Sequence, residues 1–286
     1  MKYKEMESEL KICYRKLKSS AYFDKSAAIL RQQISEFESN TNCEMHIKDL
    51  SVKMKLEEES KWEVYIEQEL QKLKVYRFPK NIDYIKKKKT DNNENIIFNI
   101  EKIDDELKIK NKDDIQFRIG LPISLHILSV FWINQIGTAL DEKFSEISYG
   151  NRLLKNDKSN KNRERVPYLY KPYFNEYESW RDKGLDVAEE YYKNKTDCMI
   201  IMLDIKRFFY SVNFTPEIFD TFIDEKDKEY TIKKRLNDLM YKIIEKYSSE
   251  INSTKEKNVF LPIEFYHTEY LLTGIWIVLT RVLLID

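Results

Sequence analysis

A run of five apolar residues that ends in a carboxylate limits most strongly what this chain can fold into. Met199 to Leu203 are all apolar, and Asp204 follows them directly. A short apolar run of this length is typical of a strand that is buried on both faces. An aspartate at the end of such a strand has two interpretations. It caps the next helix, or it supplies an oxygen ligand to Mg²⁺, which a rigid strand end can hold near octahedral geometry.

The residues that follow Asp204 favour the metal-ligand interpretation. The chain from Asp204 to Val212 reads Asp-Ile-Lys-Arg-Phe-Phe-Tyr-Ser-Val, which resembles the first palm motif of reverse transcriptases, Asp-Ile-x-x-Phe-Phe-x-Ser-Ile. The resemblance implies that Asp204 is the catalytic carboxylate and binds Mg²⁺, with the carbonyl oxygen of Ile205 beside it. It also implies that Phe209 is the steric gate, which stacks under the sugar of the incoming nucleotide and excludes a 2′-hydroxyl.

A second motif lies earlier in the chain. Residues 147–153 read Ile-Ser-Tyr-Gly-Asn-Arg-Leu, which resembles the fingers motif of bacterial retron-like and abortive-infection reverse transcriptases. The resemblance implies that Arg152 contacts the triphosphate of the nucleotide. Arginine suits this role because its planar guanidinium can bind two phosphate oxygens at once. Without the family, the Tyr-Gly-Asn-Arg stretch predicts only a turn.

Composition argues against a disulfide-rich protein, a zinc protein and a membrane-spanning protein, but the net charge does not indicate a nucleic-acid partner. Lys plus Arg and Asp plus Glu both number 49 in 286 residues, so the net charge is zero. A nucleic-acid enzyme needs only a local basic groove, so neutrality is weak evidence against one. The three cysteines are far apart and form neither a zinc pattern nor a disulfide framework. No apolar signal region or stretch of ~20 apolar residues is present, and we expect a cytoplasmic protein.

Residues 1–75 are predicted to be a helical N-terminal extension. Apolar residues recur there at spacings of three and four, and a second helix is predicted from Met45 to Lys74. The basic residues Lys11, Arg15, Lys16 and Lys18 lie beside Tyr14 in sequence. They form either a solvated helix face, which is the commoner case, or a track for a phosphate backbone.

Residues 76–195 are predicted to be a fingers-like region. Strands are expected at 75–80, 96–100 and 115–119, with a lysine-rich loop between the first two. A long apolar helix is predicted from Pro122 to Phe144, in which His126 is expected to be a core or surface histidine rather than a catalyst. In the segment 167–174, aromatic residues alternate with Lys171. Such a segment either stacks on bases and binds phosphates, or packs against its own domain. An amphipathic helix around 177–191 then leads into the strand before Asp204.

Residues 196–263 are predicted to be a partial palm that contains the first catalytic motif. A helix is expected to begin after Phe214, with Thr215 as N-cap and Pro216 in the first turn. Another helix follows, up to Ser248. Leu261-Pro262-Ile263 then matches the start of the family pattern Leu-Pro-x-Gly, but position 264 is glutamate.

From Glu264 to Asp286 the family pattern disappears, and no lysine occurs after Phe265. One interpretation of this apolar tail is a terminal helix from Tyr270 to Leu284 that completes the core. The other is translation out of frame. If one base is restored before codon 264, codon degeneracy allows Leu-Pro-Ile-Gly-Ile-Leu-Ser and then Leu-Ala-Asn-Trp-Tyr-Leu, which is close to the second palm motif.

The sequence therefore predicts an α+β fold: a helical N-terminal extension followed by right-hand polymerase fingers and an incomplete palm. The resemblance implies an RNA-directed DNA polymerase with Mg²⁺, an RNA template, a DNA or protein primer and dNTPs, in anti-phage defence. The family's Tyr-x-Asp-Asp motif is not among the 286 residues, so this chain is expected not to polymerise alone. The alternatives are a non-catalytic nucleic-acid-binding or assembly protein with a degenerate palm, and a plain helical scaffold.

Overall fold

The computed structural model describes residues 3–23, 27–55, 58–79, 115–143, 148–150, 152–154, 168–200, 214–251 and 259. Helices dominate this part of the chain, and the strands that it contains form a two-stranded sheet. The helices are α1 (Tyr3–Phe23), α2 (Ala28–Asn40), α3 (Cys43–Lys53), α4 (Glu59–Leu70), α5 (Ile123–Trp132), α6 (Thr138–Asp141), α7 (Tyr173–Lys193), α8 (Pro216–Asp220) and α9 (Tyr230–Ile251). The coarse α+β prediction agrees with this content.

The sheet pairs β1 (Lys74–Pro79) with β2 (Ile115–Gly120) in antiparallel register. Both strands were predicted from short β-branched and aromatic runs, and Pro79 ends the first as expected. Gly120 lies opposite Lys74, and a side chain in its place would come within 2.6 Å of the ring of Tyr76. The predicted strand 96–100 lies outside the described residues.

The central helix confirms the prediction made for residues 122–144. It runs from Ile123 to Asp141, and a π-helical turn at Ile133–Gly137 separates α5 from α6. All ten residues of α5 are buried, because α1 and α9 both pack against it. A helix that is apolar on every side requires such cover. By length and composition alone this helix could span a membrane. However, 78% of its most apolar 18-residue stretch is buried inside the protein.

The N-terminal helices share one core with the rest of the described chain. Apolar side chains of α1 to α4 belong to the same buried cluster as those of α5 and α9. In α1 the buried side chains Leu10, Tyr14 and Leu17 have the spacing of three and four that predicted a helix, and Met6 and Cys13 are buried beside them. The free thiols of Cys13, Cys43 and Cys198 agree with the absence of a disulfide framework.

One predicted boundary is wrong. Residues 45–74 do not form a single helix: α3 ends at Lys53, and α4 begins at Glu59. The guanidinium of Arg235 in α9 donates to the carbonyl oxygen of Met54 at 2.8 Å and to Glu59 at 2.6 Å. The buried guanidinium of Arg235 therefore forms a hydrogen bond with the carbonyl group of Met54, just after the end of α3. Helix propensities of the local sequence cannot predict such a long-range contact. The apolar pattern of this segment also placed Val64 beside Trp62 and Ile66 on the buried side of the helix, but Val64 is exposed.

The helices after residue 213 begin and end close to the predicted positions. Thr215 is the N-cap residue of α8, and Pro216 is its first residue. The side-chain hydrogen bond between Thr215 and Glu217 lowers the pKa of that carboxyl group. The last described helix, α9, was predicted up to Ser248 and continues to Ile251.

Candidate functional site

The structure describes one of the four residues that the sequence assigns to the site. Arg152 lies within the described part of the chain, whereas Asp204, Ile205 and Phe209 lie outside it. Of the candidate site, the structure therefore describes the surroundings of Arg152.

Arg152 is held against the C-terminal end of α6. Its Nε donates to Oδ1 of Asp141 at 3.0 Å, and its Nη2 lies 3.3 Å from Oδ2. The same Nη2 lies 3.3 Å from the backbone oxygen of Asp141, and Nη1 donates to the carbonyl oxygen of Ser148 at 2.9 Å. The side chains of Arg152 and Asp141 are only 12% and 5% exposed. Hydrogen bonds from Nε, Nη2 and Nη1 thus fix the orientation of the guanidinium.

The backbone around Arg152 is fixed as well. The amide of Leu153 donates to Oδ1 of Asp141 at 3.1 Å. Leu153 also pairs with Tyr170 in an antiparallel bridge. Beside this bridge, the backbone amide of Lys171 donates to the carbonyl oxygen of Arg152 at 2.9 Å. Asp141 therefore ties the end of the central helix to a short bridge that leads into α7.

This arrangement constrains how Arg152 can bind an anion. Asp141 already engages the Nε and Nη2 edge, the edge that forms paired bonds to carboxylate or phosphate oxygens. Asp141 is buried and Arg152 is partly buried, so removal of the arginine would leave an uncompensated buried charge, which costs about 3–5 kcal/mol in buried pairs. The structural role of Arg152 is clear from these contacts, and its contact with phosphate stays a prediction.

The helix that leads toward Asp204 has an apolar face that the described residues leave exposed. On α7 this face contains Phe174, Tyr177, Trp180, Leu185, Val187 and Tyr191. From residue 174 to residue 200, only Glu176 and Ala188 are even partly buried. The predicted amphipathic helix is confirmed, and its opposite face is charged. An exposed apolar surface of this extent is typical of an interaction surface.

The chain turns sharply at the end of α7. Lys195 has a φ of 53°, in the left-handed region, and the amide of Thr196 donates to the carbonyl oxygen of Tyr191 at 3.0 Å. This pattern is a common helix ending in which the chain reverses direction. Met199 and Ile200, the start of the apolar run before Asp204, are exposed after this turn.

Two of the four basic residues singled out in α1 pair with neighbouring carboxylates. Lys11 pairs with Glu7 at 2.9 Å, and Lys18 pairs with Glu38. The hydroxyl of Tyr14 also donates to Glu38, at 2.9 Å. These ion pairs support a solvated face for Lys11 and Lys18, but Lys16 is buried, so the four residues do not form one basic face.

The aromatic segment before α7 is only partly available for a ligand. Tyr168 and Phe174 are exposed, whereas the ammonium of Lys171 lies 3.3 Å from Glu176. The segment therefore offers aromatic surface, while its lysine already has an anionic partner.

His126 was predicted to be a core or a surface histidine, and it lies in the core. It is 1% exposed, and burial lowers its pKa to about 3. A neutral imidazole in this position stabilises packing and does not act on a substrate from solvent.

Sequence reasoning missed Asp141, the partner of Arg152. A carboxylate in the last turn of a helix is opposed by the helix dipole, and Asp141 ends an otherwise apolar helix. In the sequence, this unfavourable position of Asp141 could have indicated that a cationic side chain pairs with it. Within the described ranges, no group of three His, Cys, Asp or Glu side chains could hold a metal ion.

Comparisons with protein-family models, with curated proteins and with solved structures found no match for this chain.

Proposed function

We propose that this chain is the fingers and first palm half of a reverse transcriptase, which binds a template–primer duplex and a deoxynucleoside triphosphate. The observation that carries the proposal is the motif from Asp204 to Val212, which follows an apolar run and a helix in the order that a palm requires. The setting of the proposal is bacterial anti-phage defence in the cytoplasm, which rests on the resemblance.

The contacts of Arg152 bear on this proposal in two ways. They occupy the Nε and Nη2 edge, so a paired bond from that edge to phosphate requires displacement of Asp141. They also pre-organise the side chain, since fixing an arginine costs about 2 kcal/mol of rotamer entropy. Asp141 and Ser148 fix the Arg152 guanidinium in this way. In the proposed site Arg152 neutralises phosphate charge, and Phe209 stacks under the sugar.

The oxygen donors of the motif suit Mg²⁺, since Asp204 and the carbonyl of Ile205 are both hard ligands. Two-ion phosphoryl transfer needs several carboxylate oxygens around ions ~3.5–4 Å apart, and this motif supplies one carboxylate. We therefore propose nucleotide and duplex binding for these 286 residues and derive no catalytic step from them.

Sugar discrimination tests the proposal. The wild-type chain is titrated in the presence of Mg²⁺ with dTTP and with its ribose counterpart, 5-methyluridine triphosphate, so that the two nucleotides differ only in the 2′-hydroxyl. The titrations are repeated with Phe209→Ala. We expect wild type to prefer dTTP and Phe209→Ala to lose that preference, because the smaller side chain leaves room for a 2′-hydroxyl. Equal binding of both nucleotides by folded wild-type protein would contradict the steric-gate assignment.

A second candidate is a non-catalytic nucleic-acid-binding protein with a degenerate palm. The single carboxylate of the motif favours it, since such a protein needs no metal site. It predicts salt-dependent binding of an RNA–DNA duplex without binding of dTTP, and Asp204→Ala should leave duplex binding and stability unchanged. A plain helical scaffold predicts no affinity for the duplex even at low salt.

A further inference from the structure

A cleft of about 180 Å³ lies between α4, α8 and α9. Apolar and aromatic side chains form much of its lining, among them Trp62, Leu239 and Tyr241. Pockets that hold drug-sized ligands usually enclose about 300–1,000 Å³. This cleft is smaller, and it fits a group of about the size of one amino-acid side chain.

Carboxylates dominate the charged part of the lining. Among the described lining residues, Glu59, Glu63 and Asp238 are acidic, and Lys242 is basic. The ammonium of Lys242 lies 3.5 Å from the carboxylate of Glu67, which offsets part of its charge. A cleft with one predominant sign of charge attracts ligands of the opposite sign, and its apolar walls favour a ligand with an apolar body.

Each of the three carboxylates keeps acceptor capacity for a ligand. Glu59 accepts from Arg235 through Oε2, and Asp238 contacts Lys234 through Oδ1 at 3.0 Å. Glu63 is exposed, and its carboxylate has no ion-pair partner in the part of the chain that the structure describes. Because a carboxylate accepts hydrogen bonds at both of its oxygens, all three side chains can bind a donor in the cleft.

The aromatic side chains of the cleft are held in place. Trp62 is only 3% exposed, and the ring of Tyr241 packs edge-on against Phe219 with a centroid distance of 6.2 Å. The indole nitrogen of Trp62 has no hydrogen-bond partner among the described residues and is not sealed from solvent. It is therefore available to an acceptor atom in the cleft.

The local field agrees with the charge of the lining. Burial raises the pKa of Tyr241, and the negative charges of Glu245 and Glu217 raise it further. A negative potential at this wall stabilises a bound cation.

We propose that this cleft binds one organic cation, an alkylguanidinium or alkylammonium group, between the carboxylates of Glu63 and Asp238 and the rings of Trp62 and Tyr241. The cation pairs with the carboxylates, and its attraction to the aromatic rings adds to the affinity. A metal ion is the poorer fit, since no three His, Cys, Asp or Glu side chains in the described ranges are placed to hold one. The cleft and its ligand are independent of the proposed nucleotide site.

Isothermal titration calorimetry of the full chain with n-butylguanidinium tests this proposal. The matched neutral ligand is n-butylurea, which has nearly the same shape and no charge. We expect butylguanidinium to bind with a dissociation constant on the order of millimolar, and butylurea to bind about tenfold more weakly or less, since hydrogen bonds between charged partners are the stronger ones.

Three variants locate the bound cation. Glu63→Gln removes a charge that no described residue pairs with, so it should leave the fold intact and weaken butylguanidinium binding about fivefold. Tyr241→Leu keeps an apolar wall without the ring and should weaken binding about two- to fivefold. Glu178→Gln, at an exposed position of α7 outside the cleft, removes the same charge as Glu63→Gln and should have no effect.

A capped Gly-Arg-Gly peptide distinguishes two sources of the cation. Tighter binding of the peptide than of butylguanidinium indicates the arginine side chain of a protein, whose backbone carbonyl group accepts from the Trp62 indole. Weaker binding of the peptide indicates a free small cation. Both results support the proposed cleft.

Other results would overturn it. Equal affinities for butylguanidinium and butylurea would mean that charge plays no part in recognition. Equal affinities of Glu63→Gln and wild type for the cation would place it elsewhere on the protein, as would equal losses in Glu63→Gln and Glu178→Gln. A folded wild-type chain that binds no butylguanidinium at tens of millimolar would also contradict the proposal.

Discussion

Trp132 and Asn237, which are 105 residues apart in sequence, meet in the core through a 2.7 Å hydrogen bond from the indole nitrogen to Oδ1. The amide nitrogen of Asn237 donates in turn to the carbonyl oxygen of Phe219 at 2.6 Å. A single buried side chain therefore connects α5, α8 and α9 and satisfies polar atoms on two neighbouring elements. Buried polar groups without partners are costly, so this link is a sensitive point of the fold.

Asn237→Ala should lower the free energy of unfolding by about 1–3 kcal/mol, since it leaves the buried indole nitrogen of Trp132 without its partner. The carbonyl oxygen of Phe219 keeps the hydrogen bond from the amide of Phe222. Urea unfolding followed by circular dichroism measures the change. Gln71→Ala, at an exposed position after α4, serves as the control and should change stability by less than about 0.5 kcal/mol. Equal effects of the two substitutions would contradict the assigned role of Asn237.

His126 should make the fold sensitive to acid. Burial lowers its folded-state pKa to about 3 from an ordinary value of 6.5, so the unfolded state binds a proton first as pH falls. The contribution to stability is fully present above pH 6.5 and is lost progressively as the pH falls toward 3. Urea unfolding at a series of pH values should show a steeper decline between these limits for wild type than for His126→Leu. Parallel pH profiles would show that another group causes the decline.

Gly120 should resist substitution because of Tyr76. A Cβ at position 120 lies 2.6 Å from Cε2 of the Tyr76 ring, so Gly120→Ala should cost about 1–3 kcal/mol through overpacking. The combined change with Tyr76→Ala should remove most of that penalty. Gly184 in α7 has no atom within 4 Å of the added carbon, and thermal melts of Gly184→Ala provide the comparison. Loss of stability at both glycines would argue against the specific contact.

The exposed face of α7 should be covered by the proposed palm. Val187 lies on the apolar face and Asp186 on the charged face of the same helix. If the remainder of the apolar run, Ile201 to Leu203, packs on α7, Val187→Lys should cost about 1.5–3 kcal/mol, whereas Asp186→Lys should stay within about 0.5 kcal/mol. Thermal unfolding of both variants measures the difference, and matching small effects would mean that nothing in this chain covers the face.

The elements with a strong hydrophobic period were predictable from sequence, and the contacts between distant residues were not. The spacing of Leu10, Tyr14 and Leu17 predicted a helix where α1 lies, and the apolar composition of α5 predicted a buried helix. The break between α3 and α4 was not predictable, since it depends on Arg235, 176 residues after Glu59. Tertiary contacts of this kind override local propensity.

The candidate site was predictable only in part. A resemblance selected Arg152, but the geometry of its side chain depends on Asp141, which lies 11 residues earlier in the sequence. Residue type and spacing do not specify such a pair, because the fold of the intervening residues sets its distance. The unfavourable position of Asp141 at a helix end is the one sequence signal that pointed to it.

Primer extension tests the central claim most directly. The source gene is read past codon 286, one base is restored before codon 264, and the resulting protein is supplied with an RNA template, a DNA primer, dNTPs and Mg²⁺. We predict that the restored frame encodes Leu-Pro-Ile-Gly followed by Tyr-x-Asp-Asp, and that the protein synthesises DNA unless Asp204 is changed to asparagine. A frame without that motif, or a folded protein that makes no DNA, would contradict the reverse transcriptase assignment.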